Sequence, residues 1–206
     1  MGRVIQLQVG GFDKNFSYLV IGKTNESILI DPTGDAGIIE NAIKENKTKV
    51  KLILFTHSHP DHCELAEHFS SQGIEIFFPK NEDLGKITSF DLNGMKIECI
   101  ATPGHTKDSV VYIIGKNIFT GDTLFVRGVG TTAYGGDDFL LEKTLAFLFE
   151  LDPTLALWPG HNYGGISSTL KEALNNSHIR PSKKTHELIK KMVEEYNLKH
   201  STKKKF

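Results

Sequence analysis

Residues 56–62 read Thr-His-Ser-His-Pro-Asp-His, so three imidazoles and one carboxylate fall within six consecutive residues. The apolar run 51–55 directly before them predicts a short buried strand. The cluster therefore lies on a strand-end loop, where a scaffold commonly presents functional groups. Neutral imidazole nitrogens and carboxylate oxygens are ligands of zinc and similar divalent metals. The cluster predicts a metal site, and the fold must bring any further ligands to the end of this strand.

Three more metal-capable residues follow other predicted strands, each directly after a glycine. They are His105 after the strand 96–101, Asp122 after the strand 117–120 and His161 after the strand 155–158. Glycine lets the backbone turn sharply and approach a site closely. A single histidine more often packs or faces solvent than binds metal, so the hypothesis rests on the coincidence of four strand ends. The remaining histidines lack this setting and are treated as ordinary: His68, His178, His186 and His200.

The rest of the pattern predicts a layered domain. Two-residue turns at Asn93-Gly94 and Gly115-Lys116 predict hairpins, and apolar residues at helical spacing predict helices over 35–46, 138–150, 167–175 and 183–198. Strands interspersed with helices favour an α/β or α+β fold, here one domain over 1–206. We expect the last helix to pack through Leu188, Ile189, Met192 and Val193, and the basic end 201–206 to fray.

Charge and cysteine content argue against several classes of protein. The formal net charge is −1, so the protein has no overall positive potential that would attract nucleic acid or an anionic membrane. Only two cysteines, Cys63 and Cys99, exclude a disulfide scaffold and favour the reduced cytoplasm. No apolar run reaches the length of a membrane span, and the N-terminal residues lack the apolar region of a signal peptide. We therefore expect a cytoplasmic protein with a small-molecule partner.

In chain order, the motifs are His-x-His-x-Asp-His, Gly-His, Gly-Asp and Gly-His. This order resembles the metallo-beta-lactamase superfamily, and within it the glyoxalase II-like branch of hydroxyacylglutathione hydrolases and persulfide dioxygenases. The resemblance covers about the first 180 residues. It implies a four-layer αββα sandwich with the site at one edge, between two sheets. It also implies two divalent metal ions, zinc, iron or manganese: one on His57, His59 and His105, one on Asp61, His62 and His161, with Asp122 bridging.

Departures from the family pattern narrow this branch. Asp122 stands where true lactamases have cysteine or no carboxylate, and His59 stands where the flavodiiron reductases carry glutamate. A chain of 206 residues leaves no room for the arm of the family's nucleases. Both candidate groups commonly have Gly-Arg-Thr-Asp where this chain has Gly-Thr-Thr-Ala at 130–133. The usual substrate contacts of that loop are therefore missing.

The resemblance implies hydrolysis of a thioester such as an S-acylglutathione by hydroxide held at two metals. Asp61 and Asp122 would be the catalytic carboxylates, and Tyr163 matches a tyrosine of the branch that contacts substrate. Long cations are candidates for the anionic ends of a glutathione derivative, although such side chains usually stay solvated. These candidates are Arg127, Arg180 and Lys107.

Two alternatives stay open at this point. In a persulfide dioxygenase one Fe(II) would bind His57, His105 and Asp122, a two-histidine, one-carboxylate triad with open positions. The ligand set for one iron lies inside the set for two metals, so the residues alone do not separate the two enzymes. The second alternative is a metal-binding module without catalysis, which the complete ligand set disfavours. A homodimer is one expected assembly, and the sequence leaves the oligomeric state open.

Overall fold

The computed structural model describes residues 2–201, and the predicted frayed end beyond residue 201 lies outside the described residues. The strands are β1 (Arg3–Gly10), β2 (Asn15–Ile21), β3 (Glu26–Ile30), β4 (Lys49–Leu54), β5 (Glu75–Phe77), β6 (Ile87–Leu92), β7 (Met95–Ala101), β8 (Val110–Ile114), β9 (Asn117–Gly121), β10 (Ala156–Pro159) and β11 (Ser168–Thr169). The helices are α1 (Ala36–Glu45), α2 (Pro60–Cys63), α3 (Ala66–Ser70), α4 (Asp138–Leu148), α5 (Leu170–Asn176) and α6 (Lys183–Ser201).

The strands form two mixed sheets. The first has the order β1-β2-β3-β4-β5, in which β3, β4 and β5 run parallel and the other pairs are antiparallel. The second has the order β11-β10-β9-β8-β7-β6, with β9 and β10 as its parallel pair. The predicted turn at Asn93-Gly94 is confirmed, since both residues have positive φ (49° and 86°) between the paired strands β6 and β7.

Side chains alternate between the two faces of each strand and fill three apolar layers. Tyr18, Tyr112 and Phe119 belong to the cluster between the sheets. A second cluster packs α1 and α3 on the outer face of the first sheet, and a third packs α4, α5 and α6 on the outer face of the second. This arrangement is the predicted four-layer αββα sandwich, and the fold class is confirmed.

Local sequence sets the helix ends. Asp35 accepts a hydrogen bond from Gly37 N at 2.8 Å and starts α1, and Asp137 does the same for α4 through Leu140 N. The last helix lies at Lys183–Ser201 against a predicted 183–198. Its predicted packing is wrong at Leu188, which is 56% exposed, whereas Ile189 is 2% exposed and joins the core of the second sheet. None of the helices among residues 2–201 is long and apolar enough to cross a membrane.

The two sheets are tied together at the edge where β4, β7, β9 and β10 end. Val110 N donates to Thr56 O at 2.8 Å, and Phe16 N donates to Gly160 O at 2.8 Å. From the core between the sheets, the buried hydroxyl of Tyr112 donates to Phe55 O at 2.7 Å. The segments that follow these strand ends carry the predicted metal ligands, so their relative positions are fixed by sheet packing.

Candidate metal centre

Three histidines form the first ligand group. His57 follows β4, His59 lies two residues further, and His105 follows β7 in the other sheet. The Nδ1 atom of His59 is 3.1 Å from His57 Nε2 and 3.0 Å from His105 Nε2. His57 and His105 are buried, and His59 is half-buried at the wall of a cleft.

The second group combines Asp61 and His62, on the single turn of α2, with His161 after β10. The loop predicted here is partly helical, because Pro60 takes the first helical position, where its missing N–H costs nothing. His62 Nε2 is 3.2 Å from His161 Nε2 and 3.7 Å from Asp61 Oδ2, which is itself 3.4 Å from His161 Nε2.

Asp122, directly after β9, lies between the two groups. Its Oδ2 is 3.7 Å from His105 Nε2 in the first group and 3.2 Å from His161 Nε2 in the second. Its Oδ1 is 3.2 Å from His62 Nε2 and is buried without a hydrogen-bond donor among the described residues. A buried carboxylate oxygen without a donor is costly, and a cation between the groups would satisfy it.

The outward-facing nitrogens of three histidines are held by backbone carbonyls. An imidazole nitrogen must carry its proton to donate to a carbonyl, so the opposite nitrogen of each neutral ring presents a lone pair to the centre. The pairs are His105 Nδ1 to Thr131 O at 2.7 Å, His161 Nδ1 to Asp13 O at 2.6 Å and His59 Nε2 to Tyr134 O at 3.2 Å.

Asp31 fixes the other two rings, and the sequence analysis missed it. Its Oδ2 accepts from His62 Nδ1 at 3.1 Å and from Thr56 Oγ1 at 2.6 Å, and its Oδ1 accepts from Thr56 N at 2.7 Å. The Thr56 hydroxyl is then free to accept from His57 Nδ1 at 3.1 Å. The available signal was an aspartate directly after the apolar run 28–30, much as Asp122 follows the strand 117–120.

Five imidazole lone pairs and two carboxylates thus face one another, and this donor set fits divalent cations. The closest nitrogen pairs, 3.0 to 3.2 Å apart, are near the roughly 3.3 Å that separates two nitrogens on one tetrahedral zinc. Burial lowers the pKa of His57 well below its usual range and keeps this ring neutral. Burial raises the pKa of Asp122, yet His62 and His161 hold it well below its ordinary value, so the carboxylate is ionised.

The pKa of His62 also indicates that the centre attracts positive charge. Burial lowers it, but the nearby charge of Asp122 and the hydrogen bond to Asp31 outweigh burial and raise it well above its ordinary value. The carboxylates around this ring therefore attract positive charge into the centre. A proton on His62 or a metal cation meets that demand, and a cation does so while leaving the ring neutral.

Glycine is required where the backbone passes close to the ligands. A Cβ atom at Gly160 would lie 2.3 Å from Asp122 Oδ1 and 2.7 Å from His62 Cε1. A Cβ atom at Gly130 would lie 2.5 Å from His105 Nδ1. Gly130 opens the loop 130–133 that departs from the family pattern, and its N–H donates to Asp122 O at 2.7 Å.

The two groups lie at the base of a cleft of about 1170 Å³. Tyr163, the predicted substrate contact, lines this cleft, stacks on the ring of His161 and donates its hydroxyl to the carboxylate of Asp13. Phe12 and Tyr134, 94% and 75% exposed, also line it. The remaining lining residues are Gly11, Gly34, His59, Pro60, Asp61, Cys63, Glu64, His105, Asp122 and Thr131.

The three predicted anion-binding cations are not brought to this cleft. The guanidinium of Arg180 donates to Leu174 O at 3.4 Å near the end of α5, where a cation offsets the helix dipole, and to Ile179 O at 3.0 Å in the segment after the helix. Arg127 is exposed, is not among the residues that line the cleft, and donates its backbone N–H to Tyr163 O at 3.1 Å. Lys107 lines a separate small pocket. Their positions give no support to the roles predicted from sequence.

The chain is similar in sequence to known metal-dependent enzymes. Residues 10–75 match the model of the metallo-beta-lactamase superfamily. The chain is 28% identical over 190 residues to a probable polyketide biosynthesis zinc-dependent hydrolase of Bacillus velezensis, covering 84% of each protein. It is 29% identical over 184 residues to a hydroxyacylglutathione hydrolase of Xanthomonas campestris, covering 83% of this chain and 68% of that protein.

Among solved structures, the B3 metallo-beta-lactamase BLEG-1 superposes with a TM-score of 0.75 at 23% identity. The match covers 85% of this chain and 98% of that chain. At this identity the likeness concerns the fold alone. The two sheets with helices on both outer faces are thus an architecture shared with that solved structure.

Proposed function

We propose that this chain is a member of the metallo-beta-lactamase superfamily and a metal-dependent hydrolase of the glyoxalase II type, which cleaves a thioester such as an S-acylglutathione. The observation that carries the proposal is the pair of complete ligand groups with Asp122 between them. The names of two relatives, a zinc-dependent hydrolase and a hydroxyacylglutathione hydrolase, support the same reaction class.

The seven ligands would hold two divalent ions of zinc, iron or manganese. Two such ions supply a hydroxide near neutral pH and polarise the carbonyl of the substrate. The first ion would take His57, His59 and His105, the second Asp61, His62 and His161, and Asp122 both. Zinc accepts this mixture of imidazole and carboxylate ligands, and the donation of each outer nitrogen fixes the required tautomers.

Asp61 is the ligand best placed to act on the nucleophile. It is half-buried and lines the cleft, and Asn15 Nδ2 holds it by donating to its backbone O at 2.9 Å and its Oδ2 at 3.3 Å. His161 and Asn15 hold the pKa of this carboxyl well below its usual range, so it stays ionised. We propose that it accepts a hydrogen bond from the attacking water and orients it toward the substrate.

Tyr163 is proposed to contact the substrate. Its ring is fixed by stacking on His161, with ring centroids 5.2 Å apart, and by Phe125 at 4.8 Å. The hydroxyl at the cleft wall can donate to a substrate carbonyl in exchange for the Asp13 carboxylate. Preorganisation of this kind lowers the entropy lost when the substrate is positioned.

The alternative, a persulfide dioxygenase with one Fe(II) on His57, His105 and Asp122, requires fewer ligands. In that enzyme His59 would not need to face the metal. Its Nδ1 nevertheless lies within 3.1 Å of the inner nitrogens of both His57 and His105. This position favours the two-metal hydrolase.

The test is to load the protein with metal, count the ions, and follow thiol release from S-lactoylglutathione without oxygen. We expect two ions per chain, thiol release in the absence of air, and loss of at least about 100-fold in His59→Ala, since two-metal catalysis needs both positions. His68→Ala is the matched control, because His68 pairs with Glu40 on the outer surface. Rapid oxygen uptake with glutathione persulfide, together with no thioester cleavage, would overturn the proposal.

A further inference from the structure

The cleft contains acidic side chains and, among the residues that the structure describes, neither lysine nor arginine lines it. Asp61 and Asp122 belong to the ligand groups. The carboxylates of Asp13 and Glu64 remain on the walls, where part of the substrate must lie. Glutathione carries two carboxylates, so its thioesters would bring like charges against these walls, where the described lining includes neither lysine nor arginine to compensate them.

Both wall carboxylates are held in place. Glu64 Oε2 accepts from Gly34 N at 3.2 Å and from Thr33 Oγ1 at 3.3 Å. Asp13 accepts from the hydroxyl of Tyr163, and its backbone carbonyl holds the His161 ring at 2.6 Å. An anionic substrate group therefore cannot displace the Glu64 carboxylate without breaking the hydrogen bonds that hold it on the cleft wall.

Two large apolar side chains complete the lining. Phe12 and Tyr134 are among the most exposed large apolar side chains of residues 2–194. Large apolar side chains left open to water at a cleft gain free energy when a ligand covers them, at about 25 cal/mol per Å² of apolar surface. An uncharged or cationic substrate chain can cover these rings, and aromatic faces attract cations further.

We propose that the hydrolase prefers thioesters whose leaving thiol is uncharged or cationic, and that Glu64 is a residue that determines this selectivity against glutathione thioesters. The inference rests on the thioester hydrolysis proposed above. It replaces the anion recognition predicted for Arg127, Arg180 and Lys107 with exclusion of anions by the cleft walls.

The experiment compares three acetyl thioesters of similar size: acetylthiocholine, S-acetyl-N-acetylcysteamine and S-acetyl-3-mercaptopropionate, which are cationic, neutral and anionic. Each kcat/KM of the metal-loaded enzyme is divided by the rate constant for hydroxide hydrolysis, which removes differences in chemical reactivity. We expect the corrected kcat/KM to fall in the order cation, neutral, anion, with about tenfold between the first and the last. Each of the two wall carboxylates, at about 7 Å from the substrate charge in a wet cleft, contributes a two- to threefold factor. Half-molar salt should narrow the range.

Glu64→Gln should narrow the cation-to-anion ratio about threefold, since one wall charge is removed while an amide oxygen can still accept from Gly34 N. Glu67→Gln removes the same charge three residues along, outside the cleft lining, and should leave the ratio unchanged. A preference for the anionic thioester or for S-lactoylglutathione would overturn this inference, and so would an unchanged cation-to-anion ratio in Glu64→Gln. Either result would leave the proposed hydrolase function intact. Failure to cleave any thioester instead overturns the proposed function.

Discussion

Replacing Asp31 by asparagine should weaken metal binding without unfolding the protein. Asp31 is buried and has a φ of 48°, a left-handed conformation that asparagine tolerates better than most residues. Its two oxygens accept three hydrogen bonds, two from Thr56 and one from His62. An amide has one oxygen, so whichever way it turns, at least one of these donors faces an N–H₂ group.

The expected loss follows from what those donors do. His62 Nδ1 and the Thr56 hydroxyl both donate to Oδ2, so an amide nitrogen at that position removes the acceptor that fixes the His62 tautomer and the bond that leaves the Thr56 hydroxyl free to accept from His57. With the amide nitrogen at the other position, the buried backbone N–H of Thr56 loses its acceptor instead. Removing a hydrogen-bond partner of a metal-binding histidine costs about 10- to 100-fold in affinity, which is about 1.4 to 2.7 kcal/mol. Because Asp31 reaches one histidine of each group, affinity should fall at both positions.

The assay is competition for zinc between the metal-free protein and a chromogenic chelator, with the melting temperature of the metal-free form measured in parallel. Asp35→Asn is the matched control, because Asp35 caps α1 at Gly37 N and asparagine caps equally well. Unchanged zinc affinity in Asp31→Asn would refute the role assigned to this carboxylate. The role would also be refuted if the metal-free variant lost enough stability to account for its whole fall in zinc affinity.

Gly160→Ala should reduce metal content and activity, because its Cβ would lie 2.3 Å from Asp122 Oδ1 and overpacking costs about 1 to 3 kcal/mol; metal analysis of the purified variant checks this. Ile189→Ala should lower the free energy of unfolding by about 2 to 5 kcal/mol and Leu188→Ala by less than about 0.5 kcal/mol, since the first side chain is 2% and the second 56% exposed. Equal losses in urea denaturation would contradict the assignment of Ile189 to the buried face of α6 and of Leu188 to its exposed face. Burial raises the pKa of Cys99 to about 12, so the unfolded thiol ionises first as pH rises. Stability from this residue is complete below about pH 9 and declines from there to pH 12, and Cys99→Ala should flatten that part of the profile in urea unfolding.

The candidate metal ligands that the structure brings together could be singled out because each combines a metal-capable side chain with a strong local signal. His57, His59, Asp61 and His62 follow an unbroken apolar strand, and His105, Asp122 and His161 each follow a glycine. These glycines precede turns at strand ends, and strand ends meet at sheet edges. The two hairpin turns were equally readable, since asparagine and glycine supply the positive φ that such turns require.

Other features depend on partners that are distant in sequence. Asp31 contacts Thr56 and His62, which are 25 and 31 residues away, and nothing local distinguishes it from an aspartate that simply ends a strand. Arg180 is bound by carbonyls of the nearby α5, but a long cation has many such partners and its choice is decided by packing. In α6, the periodicity gave the helix but assigned Leu188 to the buried face, because adjacent apolar residues leave the helix phase ambiguous.

Each ligand group combines residues from both sheets, which couples the metal centre to the folding of the sandwich. His57 and His59 follow β4 in the first sheet, whereas His105 follows β7 in the second. The second group repeats the division, with Asp61 and His62 from the first sheet and His161 from the second. Neither group exists until the apolar layer between the sheets is packed. Metal bound by both groups therefore stabilises the docked sheets by mass action, and the order of the cleft and the stability of the fold depend on one interface.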